Sequence, residues 1–243
     1  MQQNKTKDIA KWYDKFSKTQ ENEGINFRNK KIQEWLIKFG LKEDSKVLEI
    51  GCGVGTQTEL LAEYLNEKGS ILSNDLSEKS IELAKKRLKS YDNISFLSGD
   101  IVKQNIEGKF DIILLPDVLE HIPIVDHNLL FKKIRYLIKP EGFILIHIPN
   151  PNYLQWCHEN TPEMLQIIDQ PIHTSILVEN IYPNDLYIDY LETYSIWIDN
   201  NDYQIIRLKP NPNVDYQTVS NNNSLLRKVI DKIKKIAKWP KKK

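Results

Sequence analysis

A glycine-rich segment preceded by an acidic residue is the part of this sequence that points most directly to ligand chemistry. Glu49, Gly51, Gly53 and Gly55 stand at alternate positions between an apolar run and a helical pattern. Glycines allow a sharp turn and let a ligand lie against the backbone without interference from a Cβ atom. Folds that bind dinucleotides favour G-x-G-x-x-G, which seats a pyrophosphate on a helix N-terminus. The G-x-G-x-G spacing therefore argues against an NAD-dependent oxidoreductase.

The carboxylate of Glu49 narrows the choice of ligand. It would repel a pyrophosphate, but it suits a ligand that carries positive charge. S-adenosylmethionine (SAM) has no phosphate and carries a sulfonium and an ammonium group. The alternative is a tight strand-to-helix turn that binds nothing, because a glycine motif alone is weak evidence.

Two further acids follow predicted strands. Asp75 lies 24 residues after Gly51, at the end of the second predicted strand, and Asp100 ends the third. In nucleoside-binding Rossmann folds an acid at the first of these places accepts hydrogen bonds from ribose hydroxyls. A side-chain acceptor at the second can meet an adenine amino group. Each could instead cap a helix, but acids at the ends of successive parallel strands favour a nucleoside-containing ligand.

Asp117, Glu120 and His121 follow the fourth predicted strand and belong to the same edge of the sheet. Methyl transfer from a sulfonium is an in-line displacement, and a hydroxyl acceptor must also lose a proton. His121 has the intrinsic pKa of a general base, and Glu120 is a second catalytic candidate. Spacings of i, i+3 and i+4 place the three residues on one face if this stretch is helical. The alternative is that they only cap and brace a helix.

The other histidines have different expected roles. His173 lies in an irregular segment after the fifth predicted strand and is a third catalytic candidate, for contact with a polar acceptor. A structural hydrogen bond is its alternative role. His127 and His158 are predicted at the surface, and His147, between two isoleucines, in the core.

The elements that position these residues alternate between apolar strands and helices. A polar helical or irregular cover at 1–45 precedes them, and a polar linker at 210–224 follows a predicted antiparallel hairpin. Nearly all-apolar strands are expected when both faces of a parallel sheet are covered by helices. The predicted strands are 46–50, 70–74, 94–97, 110–115 and 142–148, with hairpin strands at 191–197 and 203–208.

In combination, the motifs resemble those of class I SAM-dependent methyltransferases. The segments are VLEIGCGVG, SNDLSEKSIELAKKR, SFLSGDI and FDIILLPDVLEHIP, and with the hairpin the resemblance covers roughly residues 46–208. It implies a Rossmann-like α/β fold with a seven-stranded, mostly parallel sheet. It also implies an acceptor-binding insert at about 149–185 within a methyltransferase domain at 46–209.

The resemblance implies a set of cofactor-binding residues as well. The three glycines would approach the methionyl part of SAM, Asp75 the ribose, and Asp100 with Ile101 the adenine. Pro116 and Asp117 would lie beside the methyl donor, and Cys52 and Leu76 belong to the same motifs. The stretch from Asp117 to Ile122 resembles the D-x-L-E-H-I motif of ubiquinone-pathway O-methyltransferases and, more distantly, small-RNA 2′-O-methyltransferases. Some relatives use such groups to bind a divalent metal, which this sequence does not require.

Composition sets limits on location and partners. The chain has 243 residues, two distant cysteines and a polar N-terminus, which favour a reducing compartment and a cytoplasmic or peripheral protein. Residues 227–243 carry a net charge of +8, so the remainder of the chain carries −7. An acidic remainder argues against a general nucleic-acid binder. Residues 225–243 form a basic amphipathic pattern, typical of an in-plane membrane anchor or of a helix that packs on protein.

The leading hypothesis is SAM-dependent O-methylation of a small-molecule or glycan acceptor. Residues 148–153, 192–197 and 202–204 resemble small bacterial methyltransferases of surface-glycan or secondary-metabolite pathways. One alternative is N- or C-methylation of a quinone or amine metabolite. Another is a non-catalytic SAM-binding regulatory subunit. The sequence does not specify the oligomeric state.

Overall fold

Seven strands form one sheet in the computed structural model, which describes residues 2–212. Their order is β3-β2-β1-β4-β5-β7-β6, with parallel pairing from β3 to β5 and antiparallel pairing of β7 with β5 and β6. The predicted Rossmann-like fold with a terminal antiparallel hairpin is confirmed. The strands are β1 (Lys46–Ile50), β2 (Ser70–Asp75), β3 (Ile94–Ser98), β4 (Phe110–Pro116), β5 (Ile138–Pro149), β6 (Leu186–Tyr194) and β7 (Tyr203–Pro210).

Seven α-helices accompany the sheet in the described residues, and several begin or end where the sequence indicates. The side chain of Ser77 accepts a hydrogen bond from the backbone N–H of Ser80, so it caps α4 as predicted. Gly40 ends α2 in the left-handed conformation that glycine adopts most readily. The helices are α1 (Gln2–Glu23), α2 (Phe27–Phe39), α3 (Thr56–Leu65), α4 (Glu78–Arg87), α5 (His127–Leu137), α6 (Pro151–Asn160) and α7 (Thr174–Ile181).

Alternate residues of the central strands enter two separate cores, one on each face of the sheet. In β4, Ile113 and Leu115 pack with residues of α5 and α7, whereas Ile112 and Leu114 pack with residues of α2 and α3. This period of two explains why the central strands are apolar along their whole length.

Several boundaries differ from the sequence expectations. β5 begins at Ile138, directly after α5, although Pro140 was expected to separate a helix from a strand beginning at Gly142. The hairpin strand β6 begins at Leu186 and ends at Tyr194. It stops because the carboxylate of Asp202 accepts hydrogen bonds from two successive backbone N–H groups beyond the strand.

The remaining segments of the described chain are shorter. Residues 149–185, where the acceptor-binding insert was expected, contain α6 and α7. No helix between residues 2 and 212 is long and apolar enough to cross a membrane. The predicted basic segment 225–243 and nearly all of the predicted linker 210–224 lie outside the described residues.

Candidate active site

A cavity of about 500 Å³ lies at the carboxyl ends of β1, β2, β3 and β4. This is the edge where ligands bind in open α/β sheets. Most of the residues that the sequence singled out line this cavity. They are Glu49, Gly51, Cys52, Gly53, Asp75, Leu76, Asp100, Ile101, Pro116, Asp117 and His121.

The glycine loop is held tightly against β2 and β4. The backbone N–H of Gly51 donates to the carbonyl of Asn74 at 2.8 Å, and its φ of 78° suits glycine. A Cβ atom there would lie 2.5 Å from Cγ2 of Val118. At Gly53 a Cβ atom would lie 3.0 Å from Oε1 of Gln20, so the backbone is left bare toward the cavity. Gly55 does not line the cavity; it precedes α3 and packs closely on Leu88.

Glu49 is fully buried and only partly satisfied. Its Oε2 accepts hydrogen bonds from Oγ1 of Thr58 at 2.6 Å and from Oγ of Ser73 at 2.9 Å. Its Oε1 has no hydrogen-bond partner within residues 2–212. Burial raises the pKa of Glu49 to about 7, against the effect of the two hydroxyl donors. An orphaned carboxylate oxygen in a cavity wall fits the ammonium group of SAM, so the donor set suits this cofactor.

The two acids at the ends of β2 and β3 both bind nearby backbone. Asp75 accepts hydrogen bonds from the N–H groups of Gly53 and Ser77, each at 2.8 Å. Asp100 accepts one from the N–H of Val102 at 3.1 Å and pairs with Lys103 at 2.6 Å. A carboxylate oxygen accepts more than one hydrogen bond, so both side chains keep capacity for ribose or adenine groups.

Asp117 stands at the centre of a polar network. Its carboxylate lies 3.2 Å from Nε of Arg28 and 3.1 Å from Nδ1 of His147. Burial acts to raise the pKa of Asp117, but the charges of Arg28 and His147 outweigh it and lower the pKa below its usual value. His147 also contacts the hydroxyl of Tyr194 at 2.7 Å. It is therefore a satisfied core residue, as predicted, but one that supports the site.

His121 and Glu120 lie on a short 3-10 turn, Leu119–His121, and not on an α-helix. Asp117 has a φ of 52°, so the chain turns between the three predicted residues and they do not share a helical face. Nδ1 of His121 lies 2.6 Å from the carbonyl of Ile168. A carbonyl only accepts, so in the neutral ring Nδ1 carries the hydrogen and Nε2 keeps a free lone pair.

Burial favours the neutral forms of both Glu120 and His121. Burial lowers the pKa of His121. Burial, followed by the charge of Asp117, raises the pKa of Glu120 well above its usual value. Oε1 of Glu120 lies 3.7 Å from Nε2 of His121, behind the cavity wall. The arrangement leaves His121 in the cavity wall with a lone pair on Nε2, and the carboxyl group of Glu120 lies next to the ring.

Helix α1 covers the cavity with residues that the sequence placed only in an N-terminal cover. Ile9, Tyr13, Phe16, Gln20 and Glu23 recur at spacings of four and three, and all line the cavity. This helical stripe was visible in the sequence, but nothing local showed what it would cover. The hydroxyl of Tyr13 is buried and has no hydrogen-bond partner among the described residues, and its ring centroid lies 6.1 Å from that of His121.

The remaining histidines lie away from the cavity. His173 is exposed before α7 and does not line it, so its position does not support contact with an acceptor. His158 is exposed, as predicted. His127 was predicted at the surface, and this is wrong. It is fully buried because Nε2 reaches the carbonyl of Ile122 at 2.8 Å.

No group of three histidine, cysteine or acidic side chains in the described part of the chain could hold a metal ion.

Comparison with protein families identifies the class. Residues 41–210 match a family model described as "Methyltransferase domain". The chain belongs to this family of methyltransferase domains. Among curated proteins, it is similar to demethylmenaquinone methyltransferases of Staphylococcus aureus, with 26% identity over 140 residues. The match covers 56% of this chain and spans 55% of the relatives' length.

Solved structures share the fold. A SAM-dependent methyltransferase from Clostridium acetobutylicum has a TM-score of 0.61 at 15% identity, over 75% of this chain and 90% of its own. Magnesium protoporphyrin IX methyltransferase from Synechocystis, with bound SAH (the demethylated product of SAM), has a TM-score of 0.60 at 19% identity, over 74% and 80%. The N-methyltransferase NodS from Bradyrhizobium japonicum has a TM-score of 0.60 at 19% identity, over 77% and 98%.

Proposed function

We propose that this enzyme transfers the methyl group of SAM to an oxygen atom of a small-molecule or glycan acceptor. The observation that carries the proposal is the position of His121 in the cavity wall, with Nδ1–H committed to the carbonyl of Ile168 so that Nε2 keeps a lone pair. Bound SAM supplies a methyl carbon that is activated for displacement by its sulfonium. The protein must then hold an acceptor in line and remove its proton.

Each part of the cofactor has candidate partners along one wall. The bare backbone at Gly51 and Gly53, with Cys52 between them, suits the methionyl part, and Oε1 of Glu49 suits its ammonium group. Asp75 with Leu76 would bind the ribose. Asp100 and Ile101 would bind the adenine, and Pro116 and Asp117 would lie beside the methyl donor. All of these residues line the same cavity.

His121 would act as the general base. A hydroxyl acceptor would give its proton to Nε2 when bound SAM supplies the methyl group, and the imidazolium would be held through Nδ1–H by the carbonyl of Ile168. The carboxyl group of Glu120, whose Oε1 lies 3.7 Å from Nε2, would lie next to the proton that His121 takes up. Neither step requires a metal ion.

The hydroxyl of Tyr13 favours oxygen over nitrogen as the reacting atom. Burial, with the charges of Glu120 and Asp169, raises the pKa of Tyr13, so its hydroxyl remains a hydrogen-bond donor. An acceptor oxygen has two lone pairs, one for attack and one to receive this donor. A neutral amine has a single lone pair, and a donor there would compete with the attack.

A quinone metabolite is the second candidate acceptor. The curated relatives are named demethylmenaquinone methyltransferases. Their match covers 140 residues, which is only part of this chain's methyltransferase domain. Apolar residues such as Phe16, Ile122 and Leu129 also line the cavity, and they suit a largely apolar molecule.

The test of His121 is a comparison of His121→Ala with the wild type and with His173→Ala, which removes an exposed histidine away from the cavity. Turnover of SAM is measured with hydroxylated, amine and quinol acceptors, alongside SAH affinity by calorimetry. We expect His121→Ala to lower turnover by about 10²–10⁴-fold, because a general base contributes that much. SAH affinity should stay within about twofold in both variants, since neither loses a proposed cofactor contact.

Two outcomes would contradict this proposal. Full activity in His121→Ala would show that His121 is not the general base. Transfer to amines alone would contradict the assignment of oxygen as the methylated atom. Activity should persist with a chelator; loss of activity that magnesium restores would restore the metal-ligand alternative instead.

A further inference from the structure

Helix α1 lies outside the residues that match the methyltransferase family, yet it closes the cofactor cavity. The family match begins at residue 41, and α1 ends at Glu23. Gly24 follows with a φ of 61°, at the point where the chain turns toward α2. A Cβ atom there would meet no other atom within 4 Å. Contacts between α1 and the family's domain must therefore hold this cover in place.

Asp14 makes that attachment at the start of α4. Its Oδ1 accepts hydrogen bonds from Oγ of Ser77 at 2.5 Å and from the backbone N–H of Lys79 at 3.3 Å. Oγ of Ser77 in turn accepts from the N–H of Ser80 at 2.9 Å. A carboxylate is favoured there because the first N–H groups of a helix are unpaired and carry partial positive charge. Asp14 thus supplements the cap of α4 from a different helix.

Ser77 also connects Asp14 to the cofactor wall. The backbone N–H of Ser77 donates to Oδ1 of Asp75, and the other oxygen of Asp75 accepts from the N–H of Gly53, each at 2.8 Å. A continuous set of contacts therefore runs from α1 through Ser77 and Asp75 to the glycine loop. The position of α1 and the orientation of the Asp75 carboxylate are set by the same serine.

We propose that Asp14 is a positioning residue for the cofactor. It fixes α1 over the cavity and, through Ser77, holds Asp75 in its binding orientation. Cofactor release then requires the Asp14 contact to open, and a bound cofactor strengthens that contact in return. The inference rests on the proposed contact of Asp75 with the cofactor, and it is independent of which atom is methylated.

The test measures SAH dissociation by stopped-flow from the full-length chain without any acceptor. The variants are Asp14→Ala, Asp14→Asn, Asp75→Asn and the double variant Asp14→Ala/Asp75→Asn, with Asp92→Asn as an exposed control. We expect about tenfold faster dissociation from Asp14→Ala, since hydrogen bonds to a charged group are lost. Asp14→Asn should show a smaller effect because its amide oxygen still accepts from Ser77.

The double variant separates a positioning role from simple stabilisation. If Asp14 acts through Asp75, removing it in the Asp75→Asn background should change dissociation less than about threefold, whereas independent effects would multiply. Hydrogen exchange gives a second measurement. SAH should slow exchange of α1 amides in the wild type and much less in Asp14→Ala. Thermal unfolding without ligand establishes that each variant is folded, and Asp14→Asn carries the test if Asp14→Ala is not.

Wild-type dissociation and exchange in both Asp14 variants would overturn this proposal, and so would effects that multiply. In either case, the proposed function would still stand if the wild type binds SAH. Failure of the wild type to bind SAH would instead overturn the assignment of the cofactor wall itself.

Discussion

At the scale of single residues, burial of Glu49 brings the titration of its carboxyl group close to neutral pH. Its side chain is fully buried with one oxygen unpaired, and its pKa is raised to about 7 by burial. The free protein therefore holds this carboxyl partly protonated at neutral pH. A cationic group at Oε1 favours the carboxylate and lowers the pKa again.

Binding of SAM or SAH is thus expected to release about half a proton at pH 7. The sign follows from the raised pKa. Below pH 6 Glu49 is protonated and binding must expel the proton, so affinity is lowest there; it rises through pH 7 and levels off above pH 8. Calorimetry in phosphate and in Tris, whose ionisation enthalpies differ, measures the proton directly. Glu49→Gln should show equal enthalpies in the two buffers after correction.

Equal binding enthalpies for the wild type in the two buffers would contradict this prediction. Thr58→Val serves as a matched control because it removes one hydroxyl that stabilises the carboxylate. It should raise the pKa further and move the midpoint of the affinity profile to higher pH.

At the scale of elements, the turn between β1 and α3 is limited by the approach of the segment after β4. Gly51 and Gly108 both have positive φ, 78° and 89°. A Cβ atom at Gly51 would lie 2.5 Å from Val118, whereas one at Gly108 would meet nothing within 4 Å. A comparison of alanine variants at the two glycines therefore distinguishes the cost of backbone strain from the cost of steric overlap.

Gly51→Ala should lower the free energy of unfolding by about 1–3 kcal/mol more than Gly108→Ala, which carries the backbone penalty alone. Urea unfolding measures both. The double variant Gly51→Ala/Val118→Ala should recover part of the difference, because the overlapping methyl groups are gone. Equal destabilisation by the two glycine variants would show that the contact with Val118 relaxes without cost.

Those parts of the fold that depend on local pattern could be predicted from the sequence. Spacing and side-chain type within a few residues predict the apolar strands and the Ser77 cap. They also predict the acids at the carboxyl ends of β1, β2 and β3. The cofactor wall was predictable for the same reason, since parallel strands bring their carboxyl ends to one edge.

The contacts that position His121 and the α1 cover were not predictable because they join distant segments. Ile168 reaches His121 across 47 positions, and Asp14 reaches Ser77 across 63. No local pattern indicates such pairs. The burial of His127 was missed for a related reason, because its polar ring is satisfied by a carbonyl that only the folded turn places nearby.

At the scale of the whole molecule, charge is distributed unevenly along the chain. Residues 227–243 carry +8 and the rest carries −7. Tyr13, His121 and the cavity belong to the described residues, whereas the basic segment lies outside them. From sequence alone, we propose that residues 225–243 attach the enzyme to an anionic membrane surface, near an acceptor that is itself carried on lipid.

The physical basis is the combination of charge and apolar side chains. Each basic residue near an anionic surface contributes about 1 kcal/mol. On a helical wheel, most of the isoleucines and leucines of 225–239 fall on one half with Trp239, and most of the lysines fall on the other. We expect that neither contribution alone gives stable attachment and that the two together do.

Removal of residues 225–243 should therefore abolish co-sedimentation with vesicles of phosphatidylglycerol and phosphatidylcholine, while SAH affinity remains at the wild-type value. A variant with Ile233, Ile236 and Trp239 replaced by alanine keeps every charge and should sediment only at low salt, because screening removes what the apolar side chains no longer supply. Equal sedimentation of the full-length and truncated chains, or no sedimentation of either chain at low salt, would contradict the membrane proposal. A change in oligomeric state on truncation, without vesicle binding by the full chain, would assign the segment to packing against protein instead.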